Sequence, residues 1–555
     1  MTFKEKLILV ILSLIIILIS FNATKIKYYN QFLDSAVFVN NISITKDQGI
    51  PNSQINSSAV RYLNHIASKQ IEEICHSDFK VPTNETINML DRHLYLYLFP
   101  LSVFNYFFLD SDISAFLHVL TFIGTLIAVY IFLRVENISI LRSFLFVFLI
   151  SMYAGWSEGF YGQYYSAKIS MLPITIFCLL LFHRFMYKNP HTISLIILAI
   201  LICITSERSA LMISLFIFSY TLIYRINYSS FLKFNIIFDK SDRFPITIAI
   251  LSIFYALSYL FLFESSSGSQ GHLTDYISSI GKFFYNEGII FHKLRSDEFF
   301  LYGFIKFFLI NAPLIILSLF NWRIAVVAFG SMIPNIFGDL GGAEKLGWSS
   351  HYHFTYIPFL IAAACIGYKN FYINISKNFD YYRKILIIFF LILHSSTINA
   401  YSRDLKSNYS FKNINENTII KLFEISLDLG DHGTSVNFIS EYNQNLSTYI
   451  PYNASVSTTE NYVPSLISEG REIHLFPLNL GYSDFLVLPY SENDLNNGTS
   501  KISIFGAVSH LGKEKTNDLN NCLEPRIWDN YQIKKKVPYN EYVKIGILIL
   551  EKNNE

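Results

Sequence analysis

The chain has 555 residues, of which 52% are hydrophobic and only 15% are charged, and its formal net charge at pH 7 is +1. Charged residues make up about a quarter of an ordinary soluble domain, so this composition argues against a soluble protein. The near-zero net charge excludes nucleic-acid binding driven by a global positive field. The 51 Phe and 37 Tyr residues favour helices that lie in lipid, with aromatic belts at both membrane interfaces.

Long apolar runs recur along residues 1–401 and are separated by short charged connections. A helix that crosses a bilayer needs about 20 predominantly apolar residues. The first run follows a basic start and a weak cleavage motif, which favours an uncleaved first span with a cytoplasmic N-terminus over a signal peptide. We therefore predict an α-helical polytopic membrane protein of about eleven spans, at 7–22, 113–133, 139–155, 169–187, 192–205, 208–224, 245–263, 301–320, 323–338, 352–368 and 384–401.

The run Thr192–Tyr224 is interrupted only by Glu207 and Arg208, so it is either one long helix or two short helices. Lys and Arg residues flank the run on both sides, and such residues gather on the cytoplasmic side of membrane proteins. Two cytoplasmic flanks require an even number of crossings, which favours the hairpin. Ser206 is then placed to cap the second helix.

The segment His93–Leu109 is apolar but contains Pro100 and is followed at once by two aspartates. Counting it as a span would break the alternation of charged connections. We predict instead a helix that lies along the outer membrane surface. It belongs to a first extracytoplasmic loop at residues 22–112.

After residue 401 the hydropathy falls, which predicts a separate extracytoplasmic domain at residues 402–555. A helical stretch, NENTIIKLFEISLDLG, precedes the short strand-like runs ASVST, REIHLF, DFLVLP and VKIGILILEK, a mixture typical of a small α/β domain. Cys75 and Cys522 are both predicted on the outer side. A disulfide between them is one option that their spacing alone does not decide.

Ionisable and polar residues gather at the predicted outer ends of the spans, where such groups are costly unless they are paired or functional. Asp34, just beyond the first span in an apolar stretch, is the candidate general base towards a hydroxyl acceptor, the alternative being a helix cap or a surface acid. The candidate substrate-binding residues are Arg92, His93, Glu158, Gln163, Lys168, Glu207, Arg208, Glu344, His351 and His353.

Simpler structural roles stay open for several of these residues. Glu207 and Arg208 also suit an ion pair that closes the helix hairpin. The two histidines His351 and His353 also suit a membrane interface, and their spacing does not place them on one helical face for a metal. No motif predicts a cofactor, and none supports a divalent metal.

Several stretches resemble the GT-C superfamily of membrane glycosyltransferases and, more closely, an uncharacterised family of polytopic membrane proteins related to it. They are FLDSAVF, HLYLYLFP, YYSAKISMLP, TSERSAL, HYHFTYIPFLIAAA and IPYNASVSTTENYVPSLISEGREIHLFP followed by DFLVLP. The resemblance implies an inverting glycosyl transfer from a polyprenyl-phosphate-linked sugar to an envelope glycan, lipid or protein on the extracytoplasmic face of the cell membrane. It also implies Asp34 as the base, with Lys168 or Arg208 holding the donor phosphate.

The sequence departs from the family pattern at three places. Glu207 and Arg208 stand where an acid pair is expected, Lys168 stands where an acidic residue is usual, and Ser465 stands where a histidine is usual. These departures leave the fold expectation intact but not a particular substrate. A transporter or flippase for lipid-linked glycans, a scaffold and an envelope glycan polymerase remain alternatives, although transporters place their functional charges near the bilayer midplane.

Overall fold

The structure is a computed structural model of the chain, mostly helical with a C-terminal sheet. It describes residues 3–28, 33–62, 70–81, 86–88, 90, 95–151, 153, 166–187, 191–230, 233–236, 239–259, 308, 311–337, 354–375, 446–459, 462–467, 471–491, 522–538 and 545–553. The predicted span 384–401 and the predicted helix NENTIIKLFEISLDLG lie outside these residues.

Helices dominate the described part of the chain before residue 446, and the longest strands come after it. The helices are α1 (Phe3–Tyr28), α2 (Leu33–Gln48), α3 (Gln54–Tyr62), α4 (Ile71–Cys75), α5 (Leu98–Phe104), α6 (Asp110–Val135), α7 (Ile140–Ser151), α8 (Ser166–Ile169), α9 (Met171–Tyr187), α10 (Thr192–Thr205), α11 (Glu207–Arg225), α12 (Arg243–Tyr259), α13 (311–318), α14 (Trp322–Phe337), α15 (Ile357–Ile375), α16 (Val463–Leu466) and α17 (522–530). The strands are β1 (Asn52–Ser53), β2 (Ile87–Asn88), β3 (Ile226–Ser230), β4 (Lys233–Ile236), β5 (Ser455–Thr458), β6 (Glu472–Leu475), β7 (Phe485–Ser491), β8 (Tyr531–Pro538) and β9 (Ile545–Lys552).

The chain divides into two compact units. The helical unit comprises Met1–Phe21, Leu90–Tyr97 and Phe116–Thr434. The sheet unit comprises Asn22–Met89, Leu98–Ala115 and Ser435–Glu555. It therefore combines the tail from residue 435 with the predicted first outer loop, except for Leu90–Tyr97, which belongs to the helical unit.

Within the described residues, two stretches of helix are long and apolar enough to cross a bilayer, Asp110–Val135 and Asn311–Ile333. Three further helices, α7, α9 and α10, are apolar but shorter. Most of the predicted spans coincide with helices in the structure. By length and composition, only the two stretches named above qualify as candidate spans among the described residues.

The predicted hairpin is confirmed. Helix α10 ends at Thr205, and Ser206 adopts an extended conformation with φ −167°. Its hydroxyl accepts a hydrogen bond from the backbone N–H of Ser209, so it satisfies one of the donors that every helix leaves unpaired at its N-terminus. The cap turns the chain and lets α11 begin at Glu207.

Helix α15 lies at the centre of the helical unit, because Ile357 and each residue from Phe359 to Ile366 are fully buried. A helix that is apolar on all sides is typical of a protein core or of a membrane span. Gly367 makes one close approach feasible: a side chain there would collide with the backbone oxygen of Leu317, at the end of α13. Small residues at such contacts let helix backbones pack closely.

One end of the helical unit carries most of its described cations, and we call it the basic end. Helices α6, α9 and α11 end there, and α12 and α14 begin there. Arg225 forms a two-pronged ion pair with Asp242, with N···O distances of 2.7 and 2.8 Å, and Arg134 pairs with Glu5 at 2.6 Å. Further cations of this end include Arg142, Arg184, Arg243, Arg323 and Lys369.

A buried ion cluster ties three helices together at the basic end. Glu136, directly after α6, accepts a bond from Tyr187 at the end of α9 at 2.9 Å. Lys369 on α15 lies 2.5 Å from the Glu136 carboxylate and donates to the Tyr187 hydroxyl at 2.6 Å. Nε2 of His183 lies 2.7 Å from the other carboxylate oxygen. The predicted span 352–368 had placed Lys369 in the connection after it. In the structure Lys369 lies within α15, which continues to Ile375.

The sheet unit contains a five-stranded mixed sheet of order β6-β5-β7-β9-β8. Strands β6, β5 and β7 run parallel, and β9 pairs antiparallel with β7 and β8. The four predicted strand runs are confirmed as β5, β6, β7 and β9. Strand β8 was not predicted, because the three lysines Lys534–Lys536 indicate a solvated loop. In the structure β8 is an edge strand, where charged residues protect a sheet from pairing with other chains.

A disulfide joins Cys75 at the end of α4 to Cys522 at the start of α17, with a Cα–Cα distance of 5.8 Å. It links two parts of the sheet unit that are 447 residues apart in sequence. Contacts between residues 77–81 and the tail lie beside it, including the bond from the Val81 N–H to the Asn479 side chain at 2.8 Å. The structure thus decides between the two options left open by the spacing of the cysteines.

The predicted surface helix at His93–Leu109 is shorter in the structure. Helix α5 covers Leu98–Phe104, and residues 105–108 form turns before α6 begins at Asp110. Pro100 is tolerated because it lies in the first turn, where its missing N–H would have no helical partner.

Candidate active site

Four stretches that are distant in sequence meet at the end of the helical unit opposite the basic end. Helices α9, α11 and α15 begin there, and α10 and α12 end there. This placement brings together the segments YYSAKISMLP, TSERSAL and HYHFTYIPF, each through its described residues. The fourth stretch is Tyr95–Tyr97, where the backbone N–H of Tyr97 donates to the carbonyl oxygen of Ile204 at 3.1 Å.

A chain of serine hydroxyls connects two of these segments. Ser206 donates to the hydroxyl of Ser209 at 2.9 Å, and Ser209 donates to the hydroxyl of Ser170 at 3.1 Å. Ser170 follows α8 and precedes α9, whereas Ser206 is the N-cap between α10 and α11 and Ser209 lies in the first turn of α11. The bonds hold the α8–α9 junction against the N-terminus of α11 and are buried, where a satisfied polar network is rigid.

Lys168 on α8 lies inside this end of the unit. Its side chain is 2% exposed, and its ammonium group lies 4.8 Å from the ring centroid of Phe354, which precedes α15. A cation over an aromatic face is stabilised by the ring quadrupole, by about 2 kcal/mol or more when water is excluded. Burying a lysine is expensive unless the charge is paired or functional.

Glu207 and Arg208 open helix α11 and are also buried, Glu207 completely and Arg208 to 8% exposure. A glutamate in the first turn is favoured by the partial positive charge of a helix N-terminus, and an arginine there is disfavoured. Arg208 is therefore held in this place against the helix dipole. The hydroxyl of Tyr255 on α12 lies within electrostatic reach of Glu207.

Lys168, Glu207 and Arg208 lie in one region, because the hydrogen bond between Ser170 and Ser209 joins the segments that carry them. Of these three described side chains, two are cationic and one is acidic, in an environment of low dielectric where electrostatic attraction is stronger than in water. Backbone N–H groups at the start of α11 add further positive potential. The arrangement suits an anion with several oxygen acceptors, because arginine binds phosphate or carboxylate oxygens through its planar fork and lysine acts as a point charge.

A second buried network was not predicted from the sequence. Tyr153, which follows α7, donates to the side-chain oxygen of Asn311 at the start of α13. Asn311 donates in turn to the hydroxyl of Tyr356 at 3.0 Å. The signal that could have found it is the single amide of Asn311 in the apolar run FFLINAPLII, because a buried amide needs partners.

Three of the predicted site residues, Lys168, Glu207 and Arg208, are brought together by the structure. Asp34 lies in the first turn of α2 in the sheet unit, with its side chain outside the described part of the structure. The remaining predicted residues lie outside the described residues: Arg92, His93, Glu158, Gln163, Glu344, His351 and His353.

Among the residues that the structure describes, no three His, Cys, Asp or Glu side chains lie together as metal ligands would. Compared with protein-family models and with curated proteins, the chain matches none of them.

Proposed function

We propose that the protein is a membrane glycosyltransferase that moves a sugar from a polyprenyl-phosphate donor to an envelope acceptor on the extracytoplasmic face. The observation that carries this proposal is the burial of Lys168 and Arg208 together at one end of the helical unit. Arginine and lysine are the side chains that bind phosphate oxygens in proteins, arginine through its planar fork and lysine as a point charge. The resemblance to the GT-C superfamily supplies the reaction class.

In the proposed topology the chain has about eleven spans in the cell membrane and a cytoplasmic N-terminus. The basic end of the helical unit then faces the cytoplasm, as expected from the distribution of Lys and Arg in membrane proteins. The disulfide Cys75–Cys522 supports an extracytoplasmic sheet unit, because disulfides persist in oxidising compartments and are rare in the cytosol.

The proposed reaction is a displacement at the anomeric carbon of the donor sugar. The hydroxyl oxygen of the acceptor forms a bond to that carbon, and the bond from the carbon to the phosphate oxygen breaks. The electron pair leaves with the phosphate, so polyprenyl phosphate is released, and the proton of the hydroxyl passes to a carboxylate base, a role that the resemblance implies for Asp34. Lys168 and Arg208 stabilise the negative charge that grows on the phosphate.

The direct test of the phosphate site is the binding of undecaprenyl phosphate to the full-length protein in nanodiscs. We expect Arg208→Gln to weaken binding by about tenfold to a hundredfold, as is usual for the loss of a hydrogen bond between charged groups. The matched control is Arg142→Gln, since Arg142 lies at the basic end with its guanidinium 4.4 Å from the Tyr372 ring.

Equal binding by both arginine variants and by the native protein would contradict the phosphate role. A loss in both variants would indicate a general loss of structure and would also count against it. Lys168→Gln is expected to weaken binding less than Arg208→Gln, because lysine lacks the two-pronged geometry of arginine.

A further inference from the structure

A continuous apolar surface lies at the junction of α5 and α6, and we call residues 98–109 the aromatic elbow. Six of its side chains are between 53% and 77% exposed: Val103, Phe104, Tyr106, Phe107, Phe108 and Leu109. Leaving a large apolar side chain in water costs about 1.5–3 kcal/mol relative to burying it. Contiguous exposed patches of this kind mark a surface that contacts something other than water.

The position of the elbow in the chain indicates what covers it. Helix α6 begins at Asp110, directly after Leu109, and is one of the two described helices long and apolar enough to cross a bilayer. Aromatic side chains are enriched where spans leave the hydrocarbon, because their rings suit the headgroup region. The occupant favoured by this continuity is the lipid surface at the end of that span.

The elbow is also fastened to helix α2. Ser43 of α2 donates to the Asp110 carboxylate at 2.7 Å and accepts from the side chain of Asn105 at 2.9 Å. The ammonium group of Lys46 lies 5.8 Å from the ring centroid of Tyr106. These contacts hold the last two turns of α2 against the turn residues of the elbow and the first residue of α6.

We propose that the aromatic elbow inserts into the lipid–water interface and thereby fixes the depth of helix α2 relative to the bilayer. Asp34 lies nine residues before Ser43 on the same helix, so a helical rise of 1.5 Å per residue places the two about 14 Å apart along the axis. Anchoring the elbow therefore limits how far α2 can carry the candidate base from the interface, to about 14 Å along the helix. That last consequence depends on the proposed function, whereas the anchoring itself does not.

The test is the collision of a nitroxide spin label with oxygen, which concentrates in lipid, and with a water-soluble nickel chelate. The label is attached to Phe107→Cys in the full chain, in nanodiscs of phosphatidylcholine and phosphatidylglycerol. The natural cysteines interfere little, because Cys75 and Cys522 form the disulfide and Cys178 and Cys365 are buried. Cys203 is only partly buried and is replaced by serine in all variants.

The matched control is Tyr452→Cys, whose native side chain is 67% exposed in the same unit. We expect oxygen to relax the Phe107 label more than nickel does, and the reverse for the Tyr452 label. Equal access of nickel to both labels would overturn the proposal. A Phe107 label reached by neither reagent would overturn it as well, because a protein surface would then cover the elbow.

The link to α2 is tested with a label at the exposed Asp47→Cys. With the native elbow, we expect this label to report one fixed depth. Replacing Phe107 and Phe108 together by serine is expected to shift or broaden that depth, and an unchanged depth would overturn the link. Because these measurements do not use transfer activity, a protein that is anchored but inactive would refute the proposed function and leave the anchor intact.

Discussion

The substitution Glu136→Gln is expected to destabilise the helical unit strongly. Glu136 accepts from Lys369 and Tyr187 and lies beside His183, and the Glu136 and Lys369 side chains are 4% and 5% exposed. Burial would raise the pKa of Glu136, but the hydrogen bonds from His183, Lys369 and Tyr187 outweigh it and lower this pKa from 4.5 to about 2. At about 1.4 kcal/mol for each pKa unit, the partners and burial together favour the carboxylate over the neutral acid by about 3 kcal/mol.

Glutamine keeps the shape of Glu136 but leaves the ammonium group of Lys369 buried without its counter-charge. Removing one partner of a buried ion pair typically costs about 3–5 kcal/mol, whereas replacing both partners by apolar residues is often neutral. We therefore expect the double variant Glu136→Leu/Lys369→Met to recover most of the stability that Glu136→Gln loses. The assay measures the fraction of protein that stays monodisperse in detergent after heating to a series of temperatures.

The matched control is Glu551→Gln, which breaks the ion pair with Lys534 in the sheet, where the side chains are 41% and 33% exposed. An exposed pair is worth about 0–1 kcal/mol, so this variant should resemble the native protein. The stabilisation by Glu136 should be present above about pH 4.5 and should be lost as the pH falls towards 2. A Glu136→Gln variant as stable as the native protein at pH 7 would refute the reasoning.

Two further predictions concern the sheet unit. Cys522→Ala should cost about 2–5 kcal/mol and should make the tail sensitive to protease, whereas Cys203→Ala should not; equal resistance with and without dithiothreitol would contradict this. Burial lowers the pKa of His474, although the nearby Glu472 carboxylate acts to raise it. As the pH falls, the unfolded chain therefore binds this proton before the folded chain does, and stability should fall below about pH 6.5. His474→Gln should flatten that dependence, and a native protein equally stable at pH 5 and pH 7.5 would contradict it.

The sequence predicted those features that depend on neighbours in the chain. The hairpin at Ser206 followed from a cap residue between two apolar runs and from the sign of their flanks. Strands β5, β6, β7 and β9 followed from short apolar runs between turn residues. Both kinds of signal are local, so one sequence is enough to find them.

The features that the sequence did not predict depend on contacts between distant residues. The partners Glu136 and Lys369 are 233 positions apart, and Lys369 alone indicates only a charged connection after a span. Strand β8 is stabilised by pairing with β9, which offsets the low strand propensity of its lysines. In the candidate active site, Lys168 and Arg208 were predicted as single residues, while the serine chain that links their segments and the Asn311 network required the fold.

The most direct test of the central claim is sugar transfer by the purified full-length protein in nanodiscs. The donor is undecaprenyl phosphate carrying a radiolabelled hexose, and the acceptor is an envelope extract from a strain that lacks the protein. We predict that the native protein moves the label from lipid to acceptor and that Asp34→Asn, which cannot take up the proton, reduces the rate by a factor on the order of 10² or more. Label that stays on the lipid with the native protein, or an Asp34→Asn variant as fast as the native protein, would contradict the account.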